Sequence, residues 1–243
     1  MQPKPKSLVV ITGASSGIGE AIAKLFSEAG FPLLLAARRI ERLRSLNLPN
    51  ALCEEVDVRD VAQFQKALDK AVQQFGEVDC LINNAGVMLL GDPQTQNPDE
   101  LKTMLDVNVL GVLNGIHCVL NSMIQRKHGT IINISSIAGR KTFTFHAGYC
   151  ASKFAVHALS ESIRADVAKH NVRVSTIAPG VVETDLLSHT SSEDIIKAYT
   201  DWKSTLNYVL RPEDVAQAAL YLYTQPQQVC IRELVITATA QET

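Results

Sequence analysis

Aromatic residues make up only 5% of this 243-residue sequence, and there is a single tryptophan. Cysteine is equally sparse: Cys53, Cys80, Cys118, Cys150 and Cys230 are odd in number, scattered and never in CxxC spacing. That pattern excludes a disulfide framework and a cysteine-type zinc site, and it fits reduced thiols in the cytosol. His117, His128, His157 and His170 form no ligand spacing with acids or cysteines, so no metal is expected. Neither sign of charge dominates, with a formal net charge of −2 and a pI near 6.3. Such balance gives no electrostatic footprint for nucleic acid or for an anionic membrane. No continuous apolar run approaches the roughly 18–20 residues a bilayer span requires. Met1–Ser7 carries two lysines and two prolines ahead of an apolar stretch, a superficial likeness to a signal peptide. Gly13, Ser15, Ser16, Gly17 and Gly19 break that stretch immediately after Leu8–Thr12, so a cytoplasmic location is expected. Linkers, repeats and low-complexity tracts are missing as well. What remains, 46% hydrophobic and 20% charged, is the composition of an ordinary globular domain.

Short apolar runs alternate with longer stretches of helical period. Strands are expected at Leu8–Thr12, Pro32–Ala37, Asn50–Val56, Cys80–Asn83, Thr130–Ile134, Val172–Ile177 and Glu233–Thr237. Helices are expected at Gly17–Ala29, Asp60–Phe75, Leu105–Arg126, Tyr149–Lys169 and Pro212–Tyr223, the last opening on a proline suited to a first turn. Most of the strand candidates are rich in Val, Ile or Leu, as strands covered on both faces are. The alternation predicts one α/β domain spanning residues 1–243, with right-handed crossovers and a doubly wound parallel sheet. Residues 183–208, polar and mixed in pattern, are expected to form small helices as a lid over the carboxyl ends of the strands.

The first strand runs into Gly13-Ala14-Ser15-Ser16-Gly17-Ile18-Gly19 and then a helix. Unpaired N–H groups at a helix start, together with the helix dipole, make an anion site, and the glycines let a diphosphate approach the backbone. The second strand ends in Ala36-Ala37-Arg38-Arg39. An acidic residue about 20 residues beyond the glycines would bind the ribose hydroxyls of NAD. Arginines instead accept a 2′-phosphate, so NADP(H) is the expected cofactor. Asp57 and Val58 follow the third strand, where they would meet the adenine edge. Asp57 serves equally well as a helix cap near Asp60.

Tyr149 and Lys153 stand four apart on an expected helix and so share a face. A tyrosine with its ordinary pKa near 10 is a poor base at neutral pH, and a neighbouring ammonium is expected to draw it down. Ser136 follows the fifth strand at the edge where a site would open, and its hydroxyl can polarise a carbonyl. Alone, a YxxxK pair is weak evidence.

In company it is strong. Thr12 through Gly19, Asn83-Asn84-Ala85-Gly86, Asn108, Ser136, Tyr149/Lys153 and Pro179-Gly180 occur in the order and spacing of the short-chain dehydrogenases/reductases, and from residue 7 onward the chain resembles that family. The resemblance implies a Rossmann sheet of seven strands in the order 3-2-1-4-5-6-7 and a catalytic tetrad of Asn108, Ser136, Tyr149 and Lys153. It implies that Asn84, Ala85 and Gly86 flank the cofactor and that Asn108 bends its helix and holds a water in a proton relay. Lys153 would also bind the nicotinamide ribose, and Pro179, Gly180, Val182 and Thr184 would meet the nicotinamide end. Hydride transfer between NADP(H) and a small-molecule carbonyl/alcohol pair is then expected, with Tyr149 as acid/base.

Substrate contacts should come from Val87–Leu90, Ile137–Ala147 and Val181–Leu206. Arg140 and Lys141 offer a carboxylate two cations, although loop cations are more often solvated. Arg38-Arg39 and the ending from Arg232 to Gln241 resemble NADP-linked enzymes of serine and other 3-hydroxy acids, a branch that includes broad carbonyl reductases. Two long apolar helices suggest a homo-oligomer, a tetramer or dimer, since relatives assemble through them. The alternative is an NADP(H)-binding regulator or scaffold with little turnover.

Overall fold

Seven parallel strands carry the apolar runs: β1 (Leu8–Thr12), β2 (Leu33–Ala37), β3 (Ala51–Glu55), β4 (Val78–Asn83), β5 (Gly129–Ile134), β6 (Val172–Pro179) and β7 (Glu233–Ile236). They lie in the order β3-β2-β1-β4-β5-β6-β7, as the resemblance implied. The computed structural model describes residues 6–241; most of the basic N-terminal stretch therefore lies outside it. The helices are α1 (Gly17–Glu28), α2 (Ile40–Ser45), α3 (Val61–Phe75), α4 (Pro98–Leu105), α5 (Gly111–Arg126), α6 (Ala147–Val167), α7 (Glu193–Ser204) and α8 (Pro212–Thr224).

Successive residues of a strand point to opposite faces, and both faces here are covered. Val9, Ile11, Leu33 and Leu35 pack against Phe26 of α1 and Leu222 of α8. Val10 and Leu34 pack on the other side with Phe64, Ile116 and Val156, from α3, α5 and α6. Full burial of each such side chain stabilises the fold by about 1.5–3 kcal/mol.

Two helices escaped the sequence reading. α2 is too short to show a period. α4 opens as helices commonly do, with Pro98 in its first turn and Asn97 accepting from the Asp99 N–H at 3.0 Å, but the charges of its first turns obscure the apolar stripe. A π-turn, Asp106–Leu110, joins α4 to α5 without a break. The resulting helix, Pro98–Arg126, is long and apolar enough on average to cross a membrane. It is instead a packed element, with Val112, Ile116, Val119 and Met123 buried against the sheet.

Asp60 caps α3, its carboxylate accepting from the Gln63 N–H at 2.9 Å. Asp57 is therefore not the cap of α3; its carboxylate binds the Arg59 guanidinium at 2.6 Å. α8 begins as expected at Pro212, and the Arg211 N–H donates to Asp214 at 2.8 Å. Between β6 and α8 the chain forms a short turn, Asp185–His189, and then α7, above the carboxyl ends of the strands.

Candidate active site

A cavity of about 810 Å³ opens over those strand ends. Of the cofactor residues named from the sequence, all but Gly19 line it, as do Ser136, Tyr149 and Lys153. Gly19 lies beneath the loop: a Cβ there would clash with the Asn84 amide nitrogen and the Gly13 carbonyl. Asn108 is fully buried behind that lining.

At one end, β1 turns into α1 through Gly13, which sits at φ +66°, where only glycine is comfortable. The turn is tied to β4. Thr12 Oγ1 accepts from the Asn84 and Ala85 N–H groups at 3.0 and 3.1 Å, and the Asn84 amide donates to the Thr12 carbonyl at 3.0 Å. Ser16 precedes α1 without a side-chain cap, so the first-turn N–H groups face the cavity uncapped. Arg39 donates to Ser16 Oγ at 2.7 Å and to Ser15 Oγ at 3.2 Å. Burial, then the charges of Arg42 and Arg38, lowers the Arg39 pKa, and a phosphate dianion would relieve that crowding. This donor set fits a dinucleotide with a 2′-phosphate. Thr184 closes over the loop, its methyl 3.0 Å from where a Gly17 Cβ would stand.

At the other end α6 presents Tyr149 and Lys153. Lys153 Nζ lies 5.6 Å from the Tyr149 ring centroid and donates to the Ile134 carbonyl at 3.1 Å. The expectation that the ammonium draws the phenol pKa down needs correction. Burial pushes Tyr149 upward, the nearby Ser136 hydroxyl opposes this only in part, and burial brings Lys153 down to about 8. Lys153 is not among the groups that lower the Tyr149 pKa; its ammonium is hydrogen-bonded to the Ile134 carbonyl. Burial thus favours the neutral phenol at Tyr149.

Ser136 Oγ accepts from the Ala138 N–H at 3.1 Å, while neighbouring Ser135 donates to the Lys153 carbonyl, so of the two it is Ser136 that faces the phenol. Asn108 sits on the π-turn. Its side chain is fully engaged, accepting from the Val87 N–H at 2.8 Å and donating to the Val87 carbonyl and to Ser152 Oγ. Ser152 in turn donates to the Tyr149 carbonyl at 2.8 Å. A Cβ on Gly86 would meet Asn108 Oδ1 at 3.3 Å and Lys153 Nζ at 3.8 Å, so these groups converge on one point.

Ser152, Thr12 and Gln241 were not singled out as site residues. Gln241 accepts from the Val181 N–H at 3.1 Å and packs against Gly180, fixing the strand end. Tyr199 joins the Tyr149 end of the cavity, with Met88, Phe143, His146, Leu186 and Trp202 as expected. Leu89, Arg140 and Lys141 do not line it; Arg140 is ion-paired with Glu233.

The short chain dehydrogenase family model matches residues 7–195. An uncharacterised oxidoreductase of Staphylococcus saprophyticus is 36% identical over 240 residues, covering 96% of both chains. Among solved structures, the closed form of a serine dehydrogenase complexed with NADP+ superposes with a TM-score of 0.90 at 33% identity, covering 97% of this chain and 96% of that one. An alcohol dehydrogenase from Thermococcus sibiricus complexed with 5-hydroxy-NADP gives 0.84 at 26% identity, covering 98% of this chain and 99% of that one. With its fold, its glycine loop and nearly its whole length shared in this way, the chain belongs to the short-chain dehydrogenase family.

Proposed function

We propose that this protein is an NADP(H)-dependent oxidoreductase that interconverts a carbonyl compound and its alcohol, with Tyr149 as the proton donor and acceptor. The observation that carries this reading is the convergence of Tyr149, Ser136 and Lys153 at one end of a cavity whose other end is a cationic phosphate cradle. The cofactor is NADP(H), and when bound it supplies or accepts the hydride.

The chain's own residues do the rest. The α1 N-terminus and Arg39 hold the phosphates, and Arg38 and Arg42 add to the positive field there. Ser136 donates to the carbonyl oxygen and steadies negative charge developing on it. Tyr149, held as a phenol by burial, delivers a proton to the same oxygen in reduction and recovers it in oxidation. Lys153 stands where its ammonium steadies the tyrosinate left behind. Asn108 and Ser152 lock α6 to the loop after β4, so that the phenol and the carbonyl meet in one geometry. The segment of residues 183–208 acts as the lid of this single-domain enzyme, and Pro179, Gly180 and Val182 border the reacting end. A dimer or tetramer is the expected assembly, since Leu105, Leu110, Leu113 and Phe154 are exposed on α4, α5, α6 and the turn between them.

The test follows NADPH absorbance with ketones and aldehydes. NADPH consumption that disappears in Tyr149→Phe supports the reading. Tight NADPH binding without turnover of any carbonyl compound would favour the regulator.

A further inference from the structure

We infer that the substrate is an uncharged carbonyl compound bearing an aromatic ring, and not a hydroxy acid. This inference rests on the carbonyl reductase reading above and specifies what that site recognises.

Aromatic residues are only 5% of the chain, yet Phe143, Phe145, Tyr149, Tyr199 and the sole tryptophan, Trp202, line this cavity. All but Phe145 are joined, through His146, into a wall around the Tyr149 phenol. His146 lies 6.4 Å from the Tyr149 ring centroid, 5.6 Å from that of Phe143 and 6.2 Å from that of Tyr199. Trp202 extends the wall, edge-on to Tyr199 at 5.4 Å. These are the separations at which rings interact favourably, and a substrate ring entering beside Tyr149 would meet edges and faces alike. His146 belongs to the wall as a neutral ring. Its Nδ1 lies 2.6 Å from the Thr144 carbonyl, which can only accept, so Nδ1 carries the proton, and burial lowers the pKa of the imidazole. Phe145 is held at φ +63°, uncommon for a bulky residue, by the Gly91 N–H bonded to its carbonyl at 3.0 Å. Such strain at a lining residue is characteristic of binding loops.

Charge points the same way. A carboxylate beside Tyr149 would need a cation, because burying an unpaired charge is costly. Among the described residues lining the cavity, Arg38, Arg39 and Arg42 belong to the phosphate end. Lys203 is 2.6 Å from Glu183, and Lys153 is held on the Ile134 carbonyl. Arg140 is paired with Glu233, and Lys141 is exposed and outside the lining. The likeness to a serine dehydrogenase would suggest a hydroxy acid; the aromatic wall and the engagement of Lys203, Arg140 and Lys153 argue for a different ligand.

The experiment separates ring from charge with four related 2-oxo compounds: methyl phenylglyoxylate, phenylglyoxylate, methyl pyruvate and pyruvate. L-Serine and 3-hydroxybutyrate are assayed with NADP+. Methyl phenylglyoxylate should exceed methyl pyruvate in kcat/KM by about ten-fold or more, the scale of discrimination an apolar pocket achieves. It should exceed phenylglyoxylate by a larger factor, since the lining lysines Lys203 and Lys153 are already engaged by Glu183 and by the Ile134 carbonyl. Tyr199→Leu and Trp202→Leu should each narrow the phenyl-to-methyl ratio by about two- to ten-fold, the value of a ring–ring contact. Equal or better turnover of either carboxylate or hydroxy acid, or no preference for the phenyl ester, overturns the inference. The emission of Trp202 reads binding without turnover. If no compound is reduced but the phenyl ester alone perturbs Trp202 in the NADP+ complex, recognition stands and the reductase reading falls. If no compound is reduced and the phenyl ester has no such effect, both fall.

Discussion

Arg39, at the end of β2, donates to the Ser16 hydroxyl at 2.7 Å and thereby joins the phosphate loop to the next strand. A 2′-phosphate placed there would meet this guanidinium first. Arg39→Ala should raise the KM for NADPH by about 10–100-fold, the range for a lost charge-assisted hydrogen bond. The KM for NADH should change little. Arg38→Asp combined with Arg39→Ala should tip preference toward NADH. Unaltered discrimination between the two cofactors, measured from initial rates, would show that the selector lies elsewhere.

Tyr149→Phe removes one oxygen from a buried ring and should leave the fold and NADPH affinity nearly unchanged. Turnover should drop by at least about 10²–10⁴-fold, the usual contribution of a placed acid/base. Ser136→Ala should cost about 10²–10³-fold in kcat, as the loss of an oxyanion donor does. Near-normal kcat in either variant would remove that residue from the chemistry.

The direction of the reaction should depend on pH. With Tyr149 raised by burial and Lys153 lowered to about 8, the pair is poised to give a proton below that pH. Reduction should hold level at neutral pH and decline as pH rises through about 8, where the ammonium is lost. Oxidation, which needs the tyrosinate, should climb toward alkaline pH. A reduction rate still increasing at pH 9 would contradict this assignment.

How much of this was legible in the sequence depended on how local each signal is. β1 runs over the expected residues, and the glycine loop and the Tyr149/Lys153 pair were readable because period and spacing are carried by near neighbours. α4 was not, because the charges of Asp99, Glu100 and Lys102 hide its apolar stripe. Gln241 was named only for its likeness to a branch ending, since its partner Val181 lies sixty residues away. Ser152 looked like any serine in a helix; only packing brings it to Asn108. The Tyr149 pKa was misjudged because YxxxK spacing fixes where Lys153 starts, not where its ammonium ends. The ammonium donates to the Ile134 carbonyl at 3.1 Å, and burial dominates at the phenol.

Acid should destabilise the protein before its carboxylates titrate. Burial lowers the pKa of His146, His157 and His189, so the folded chain binds fewer protons than the unfolded one over that range. Stability is therefore complete above the ordinary histidine value near 6.5 and is lost as pH falls below it. His157 is the informative case: it is wedged against Gly139, with its Nδ1 3.4 Å from Glu233. Thermal melts of His157→Gln should show a shallower fall between pH 6.5 and 5 than the parent. Parallel curves would assign the acid sensitivity to other groups.

Exposed Leu113 and Phe154 are 37% and 42% accessible on α5 and α6. If they meet a second copy, Leu113→Glu combined with Phe154→Glu should reduce the mass measured by light scattering. A parent protein that is already monomeric would end that proposal.

The turn Asp106–Leu110 holds one residue more than a regular helix would need there. Deleting one residue would leave a continuous helix with better backbone geometry, and each residue removed rotates what precedes it by about 100°. Asn108 would then face away from Val87 and Ser152. The molecule thus keeps a local irregularity that helix formation alone would discard, and a mutant selected purely for thermal resistance has an easy route to becoming a more stable protein with an idle site.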